Sequence, residues 1–333
     1  MIDLIRRVLT RKSRIRDLIL ERDELAAHLV RLEDEMKTIS GHLDRVIQER
    51  YQLDPKKHSN FKYFLPGHYY SPIPSLDEVK KDEERLFCNP KTIPGVDLNV
   101  EGQIVLLDQL KTFYETFPFT GQKTKGLRYS LGNLAFGGAD AVFLYAMLRR
   151  VRPSKVIEVG SGHSSCLMLD TNDLFFGGST SFTFIDPNPD SLRSLLADGD
   201  EDRVQIIPTR VQEVNLDTFG ALDAGDMLLI DSSHVSKVGS DVNYIFFEVL
   251  PSLNNGVYVH IHDIHYPFEY PREWIYEGRA WNEAYLLRAF LQYNASFQII
   301  LFNAFVSRLC EQELQKQFPT TLDRTGGIWL LKR

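Results

Sequence analysis

Stepping alternately by four and three residues from Leu4 meets Val8, Ile15, Leu18, Leu25, Leu29, Leu32, Met36, Ile39, Leu43, Val46 and Leu53, with arginine at 11, 22 and 50 as the only interruptions. This heptad, free of proline and holding one interior glycine, predicts an α-helical coiled coil over residues 1–53 with charged outer positions. The same pattern also allows a long amphipathic helix lying on the chain's own body. A coil would make the chain a homo-oligomer, and a leucine-rich seam leaves dimer and trimer equally open. Arg6, Arg7, Arg11, Lys12, Arg14 and Arg16 crowd the first turns among Ile and Leu. A solvated helix face accounts for such a run, and peripheral contact with a membrane or an acidic partner would also use it.

The heptad stops at residue 54. Residues 54–125 read as an aromatic, proline-punctuated linker followed by a helical cap. The stretch from Phe61 to Pro74 is irregular by composition, and Tyr69 and Tyr70 within it suit either a substrate lid or a linker packed on its neighbour. Helices are expected over 75–87 and 101–117, the second with Ile104, Leu107, Leu110 and Tyr114 on one apolar face. This region has no core of its own and is expected to pack on the larger domain C-terminal to it. From residue 126 short apolar strands alternate with helices. Strands are predicted at 155–159, 181–185, 204–207, 226–230 and 256–262. A helix at 281–293, a strand at 297–302, a helix at 306–315 and a strand at 327–331 come after them. Alternation of this kind means an α/β fold with a doubly wound, mostly parallel sheet over 126–333.

The first of those strands runs into V-I-E-V-G-S-G-H-S-S, residues 156–165. Gly160 and Gly162 allow a sharp turn close to a ligand, and the helix expected from Ser164 aims free N–H groups at it. His163, inside the turn, shapes it. The second strand ends in Asp186, where an acid accepts the ribose hydroxyls of an adenosine. NAD and S-adenosylmethionine both fit so far. Ser165 replaces the third glycine of the dinucleotide fingerprint, and Glu158 would repel a pyrophosphate but not a cationic methionine end, which favours S-adenosylmethionine. The E-x-G-x-G stretch with Asp186 resembles motif I and the next acidic position of class I S-adenosylmethionine-dependent methyltransferases. The chain's ending resembles that family's terminal arrangement, in which the last strand inserts antiparallel. The resemblance implies a seven-stranded sheet, with Glu158, Gly160, Gly162, His163 and Ser164 around the cofactor's methionine end and Asp186 on its ribose.

Two later stretches, I-D231-S-S-H234 and H260-I-H262-D263-I-H265, resemble the small-molecule O-methyltransferase branch, including macrolide-sugar and catechol methyltransferases. In that branch such an aspartate and a later one hold magnesium. The resemblance implies a divalent metal, magnesium or manganese, on Asp231 and Asp263 with His262 as a further ligand. Ile264 stands where the branch commonly has Asp or Asn. The metal-free alternative has Asp231 orienting His234 or His265, whose imidazole accepts the acceptor's proton. Asp231, His234, Asp263 and His265 are thus the catalytic candidates, and mid-strand His260 reads as a core residue.

A formal charge of −7 argues against a nucleic-acid binder. No apolar run reaches membrane-spanning length, no secretory h-region is present, and Cys88, Cys166 and Cys310 are too scattered for a disulfide framework, so a cytoplasmic setting is expected. The expected function is methyl transfer to a hydroxyl of a small molecule or glycan. The aromatic segment and coil resemble bacterial methyltransferases of surface-polysaccharide assembly, which points to a glycan-assembly partner. A metal-dependent hydroxylase on the same scaffold and a non-catalytic coiled-coil scaffold are the alternatives.

Overall fold

The computed structural model describes residues 64, 66–309 and 325–333, with short helical runs at 28–29, 31–32, 35–38 and 41. Most of the expected coil over 1–53, and the end of the helix expected to reach residue 315, lie outside the described residues. The chain divides into two compact units, Met1–Ser75 and Leu76–Arg333. In the first, Tyr69 and Tyr70 are exposed and meet edge to face, ring centroids 5.2 Å apart. Among the described residues no helix is long and apolar enough to cross a membrane.

The second unit is built on seven strands: β1 Lys155–Val159, β2 Ser181–Ile185, β3 Gln205–Ile207, β4 Met227–Ile230, β5 Tyr258–His262, β6 Phe297–Phe302 and β7 Gly327–Lys332. Their order is β3-β2-β1-β4-β5-β7-β6, with β7 antiparallel to both neighbours. The expected sheet, including its inserted last strand, is therefore present. β1 and β4 are buried almost throughout, as strands covered on both faces must be, and their Val, Ile, Leu and Met runs supply that burial. Register aligns Val159 with Ile185 and Ile230, and Ile230 with Ile261. The carboxyl ends of β1, β2, β4 and β5 thus form one rim, where ligands bind in open α/β sheets.

Three helices flank this sheet early in the chain: α1 Val100–Tyr114, α2 Gly138–Val151 and α3 His163–Phe176. Ten successive residues of α2, Ala139 to Leu148, are buried, which fits a helix with apolar side chains nearly all round packed between α1 and α3. In α1 the buried side chains are Gln103, Leu106, Leu107 and Leu110, so the inward face keeps the expected Leu107 and Leu110 but shifts from exposed Ile104 toward Gln103 and Leu106. Gln103 causes the shift. Its amide oxygen accepts from Phe302 N at 2.7 Å and its nitrogen donates to Leu98 O at 2.6 Å, while neighbouring Asn99 donates to Ile299 O at 2.9 Å. Backbone pairing with β6 outweighs the apolar pattern here. Two later helices complete the frame: α4 Glu283–Leu291 and α5 Asn303–Leu309.

Candidate active site

β1 ends at Gly160, which has φ of +80°. A Cβ there would lie 2.1 Å from the Asp231 carbonyl oxygen, because Asp231 N bonds Val159 O at 2.8 Å and draws the two chain ends together. Gly162 differs: its backbone is extended and an added Cβ would meet nothing within 4 Å. The two glycines of the motif thus serve different purposes, one a close backbone crossing and the other an open cradle at the start of α3.

Glu158 stands on β1, under the turn. It is 1% exposed, and its two oxygens accept hydrogen bonds from the hydroxyls of Ser164, at 2.6 Å, and Ser165. Burial, with Asp231 and Asp186 nearby, pushes its carboxyl up to about 8 despite those bonds. These bonds brace the turn that leads into α3. Ser164 is likewise spent on Glu158. His163 opens α3 partly buried, with Nδ1 unpartnered, and burial and Lys123 lower its pKa. Asp186 stands at the end of β2, where Oδ2 accepts from both the backbone N and the hydroxyl of Ser161 at 3.0 Å, and Oδ1 accepts from Asn188 N at 2.8 Å. Each oxygen keeps acceptor capacity for a ribose hydroxyl.

Across the rim, His234 lies among three carboxylates. Its Nδ1 is 2.9 Å from Glu283 Oε2, and its Nε2 is 3.3 Å from Asp231 Oδ1 and 3.6 Å from Asp263 Oδ2. Against burial, the bonds to Asp231 and Glu283 push His234 up to about 10. Asp231 also feels a burial penalty, but the bond from His234 holds it below the usual carboxylate range. Burial raises Asp263. Both His234 (φ +58°) and Asp263 (φ +54°) adopt the left-handed backbone conformation, a local strain that costs of order 1–3 kcal/mol each and that surrounding contacts must hold. His262 Nε2 is 3.6 Å from the other oxygen of Asp263.

Beside this cluster opens a cavity of about 460 Å³ whose walls include Asp140, His262, Asp263, His265, Trp274 and Arg279. Asp140 is fully engaged, accepting from Asn303 Nδ2 at 2.6 Å and Gly326 N at 2.8 Å. His265 reaches the cavity wall, but burial holds it neutral, down to about 3. His260 is a core residue: it is 2% exposed, packs on Trp329 at 4.6 Å, and is also held down to about 3, first by burial.

The metal expected on Asp231, Asp263 and His262 is not supported by their arrangement. Asp231, Asp263 and His262 reach one rim, yet among the described residues no group of three or more His, Cys, Asp or Glu side chains is arranged to hold an ion. The reason is His234, whose Nε2 sits between the two carboxylates and supplies from the chain itself the charge that keeps them together. For the same reason His234 does not fit the expected role of a free base, since both ring nitrogens already face carboxylates. S-adenosylmethionine does fit the other half of the rim: Gly162 leaves the room, α3 offers its first N–H groups, and Asp186 offers a carboxylate.

Sequence reasoning missed Trp281 and Glu283. The only signal was an acid near the start of the helix expected over 281–293. It also missed Arg128, which ties three aspartates together: Nη1 reaches Asp170 at 2.7 Å, and Nη2 reaches Asp173 at 2.9 Å and Asp200 at 2.5 Å.

Residues 157–264 match the family model described as a methyltransferase domain. An uncharacterized protein of Archaeoglobus fulgidus is 32% identical over 168 residues, covering 49% of this chain and 75% of the relative. Among solved structures, the chain is similar to an S-adenosylhomocysteine-bound methyltransferase, PaMTH1, of Podospora anserina (13% identity, 78% of this chain and 95% of that one, TM-score 0.40). It is also similar to the O-methyltransferase TomG of Streptomyces achromogenes in complex with S-adenosylmethionine (12% identity, 67% and 95%, TM-score 0.43). With the sheet order, the glycine turn and the matched domain together, the chain belongs to the class I S-adenosylmethionine-dependent methyltransferases.

Proposed function

We propose that the methyl acceptor is a hydroxyl on a sugar or another polyhydroxylated small molecule, and that Asp263 takes its proton. The observation that carries this reading is the Asp263 carboxylate, made more basic by burial, in the wall of a 460 Å³ cavity just past the carboxyl end of β5, on the rim that the glycine turn shares. That volume is in the range of small-molecule sites. Carboxylate, imidazole, guanidinium and indole groups in one wall suit a ring bearing several hydroxyls better than an apolar acceptor.

Bound S-adenosylmethionine supplies a methyl group on a positively charged sulfur that leaves as a neutral thioether. The chain's tasks are to position the acceptor oxygen in line and to remove its proton. Asp263 is the basic group at the cavity. Asp231, held low by His234, stays ionised and keeps His234 in place. Asp186 takes the ribose, Gly162 leaves room for the methionine end, and Glu158 holds the turn that shapes both.

The test is to incubate the purified chain with methyl-labelled S-adenosylmethionine and pools of nucleotide-linked and lipid-linked sugars, then to identify the labelled product. Asp263→Asn is expected to lower kcat by roughly 10²- to 10⁴-fold with unchanged cofactor affinity. Asp186→Ala is expected to weaken cofactor binding by about 2–4 kcal/mol in calorimetry. Full turnover in the Asp263 variant refutes the proton-acceptor assignment, and unchanged affinity in the Asp186 variant refutes the ribose assignment.

A further inference from the structure

Trp281, Asn282 and Glu283 close on His234 from several sides. The backbone N–H groups of Asn282 and Glu283 both donate to the His234 carbonyl, at 3.0 and 3.2 Å. The Trp281 indole lies against the imidazole, ring centroids 4.3 Å apart. Asn282 also bridges to Ser236, accepting from its N–H at 2.6 Å and donating to its carbonyl at 3.3 Å. Glu283, the first residue of α4, is fully buried and reaches the far nitrogen of the ring at 2.9 Å.

A carboxylate with no exposure is strongly destabilising unless an opposite charge or hydrogen bonds offset it. Burial raises the Glu283 carboxyl, and hydrogen bonds from His234 and Ser232 oppose that rise. A carboxylate oxygen facing a ring nitrogen accepts from it, so Glu283 engages Nδ1 and leaves Nε2 directed at Asp231 and Asp263. The ring cannot turn away: the indole, the backbone bonds and the Glu283 bond hold it with Nε2 between Asp231 and Asp263.

We infer that Glu283 is a positioning residue that fixes His234 as an N–H donor between Asp231 and Asp263, in the place a divalent ion would fill, so that methyl transfer proceeds without a metal. This rests on Asp263 being the proton acceptor. In the step served, the acceptor oxygen bonds the methyl carbon as the carbon–sulfur bond breaks with its electron pair onto sulfur. The hydroxyl proton passes to Asp263 and is later lost to solvent. A ring N–H beside the pair relieves the repulsion between the carboxylates and brings no ligand that would have to be shed for the acceptor to enter.

The experiment uses the full chain as wild type, Glu283→Gln, Glu283→Asp and Glu283→Ala, each dialysed exhaustively against a chelator and assayed with the hydroxylated acceptor that the wild type methylates best. Glu283→Gln keeps the size of the side chain and leaves the backbone bonds to His234 intact, so it separates orientation of the ring from docking of α4. It is expected to lower kcat by roughly 10- to 100-fold, as loss of an orienting partner does elsewhere, with KM for S-adenosylmethionine and the melting temperature nearly unchanged. Glu283→Asp is expected to recover part of the loss, and chelated wild type to keep full turnover. Nitrogen-15 spectra of histidine-labelled wild type are expected to show protons on both His234 ring nitrogens, a readout that needs neither an acceptor nor a variant.

Unchanged kcat in Glu283→Gln, a missing proton on either His234 nitrogen in the wild type, or turnover lost to chelation and restored by magnesium or manganese each overturns the inference. Wild type that methylates no hydroxyl acceptor but keeps both ring protons refutes the acceptor chemistry and leaves the positioning standing.

Discussion

Replacing each glycine of the motif by alanine separates their two jobs. At Gly160 the new Cβ would sit 2.1 Å from the Asp231 carbonyl oxygen and 3.3 Å from Asp231 Cβ, in a backbone conformation with φ of +80°. The left-handed conformation costs a side-chain-bearing residue roughly 1–2 kcal/mol. Forcing a methyl into a filled space costs about 1–3 kcal/mol more. The expected loss is about 2–5 kcal/mol, or roughly 4–20 °C in melting temperature for a domain of this size. The chain end that must yield carries Asp231, so His234 loses one of its carboxylate partners and turnover falls with stability. At Gly162 an added methyl meets no protein atom, so Gly162→Ala is expected to melt like the wild type while binding S-adenosylmethionine more weakly, because the methyl takes space that the ligand needs. Thermal melts of the ligand-free proteins and calorimetric titration with cofactor read both quantities. A Gly160→Ala protein that melts with the wild type would refute the close crossing, and a Gly162→Ala protein with full affinity would refute the cradle.

Glu158, with its carboxyl raised to about 8, holds a proton in the folded chain between its unfolded pKa near 4.5 and about 8. Its contribution to stability is therefore full below pH 4.5 and is lost as pH rises through 8, and Glu158→Gln is expected to flatten that part of the stability–pH curve. A bound sulfonium favours the ionised form, so cofactor binding is expected to release a proton near pH 7 and to tighten from pH 6 to 9; identical binding heats in buffers of different ionisation enthalpy would refute this. Arg128→Leu strips a buried cation from Asp170 and Asp200, whose side chains are 1% and 2% exposed, and is expected to cost about 3–5 kcal/mol in denaturant unfolding. A midpoint equal to that of the wild type would show that the aspartates find other partners.

The sheet was legible because each strand carries its own run of Val, Ile, Leu or Phe and because Glu158, Asp186, Asp231 and Asp263 punctuate the rim at regular places in the alternation. Register followed from parallel neighbours ending together. Side-chain partnerships were less legible, because they join positions far apart in the chain. His234 and Glu283 are 49 residues apart and no local pattern couples them, so the Asp-x-x-His stretch read as a ligand set or a free base. Glu158 was placed in the right turn, but periodicity gives the position of a carboxylate and not that the Ser164 and Ser165 hydroxyls reach it. On α1 the same limit concerned Gln103, which the apolar pattern left out and which β6 engages through the Phe302 N–H.

Two backbone groups of β6, the last strand on its side of the sheet, are captured by Asn99 and Gln103, which bears on whether another strand can add there. An unpaired strand margin is a template for another chain to extend. Here the carbonyl of Ile299 and the N–H of Phe302 are already taken by side chains that sit where a new strand would lie. The opposite margin, β3, is three residues long and offers little to build on. Neither side of the sheet therefore invites growth by strand addition. The barrier is shared: a substitution at Gln103 that left the core intact would free the Phe302 N–H, while Asn99 would still hold the Ile299 carbonyl.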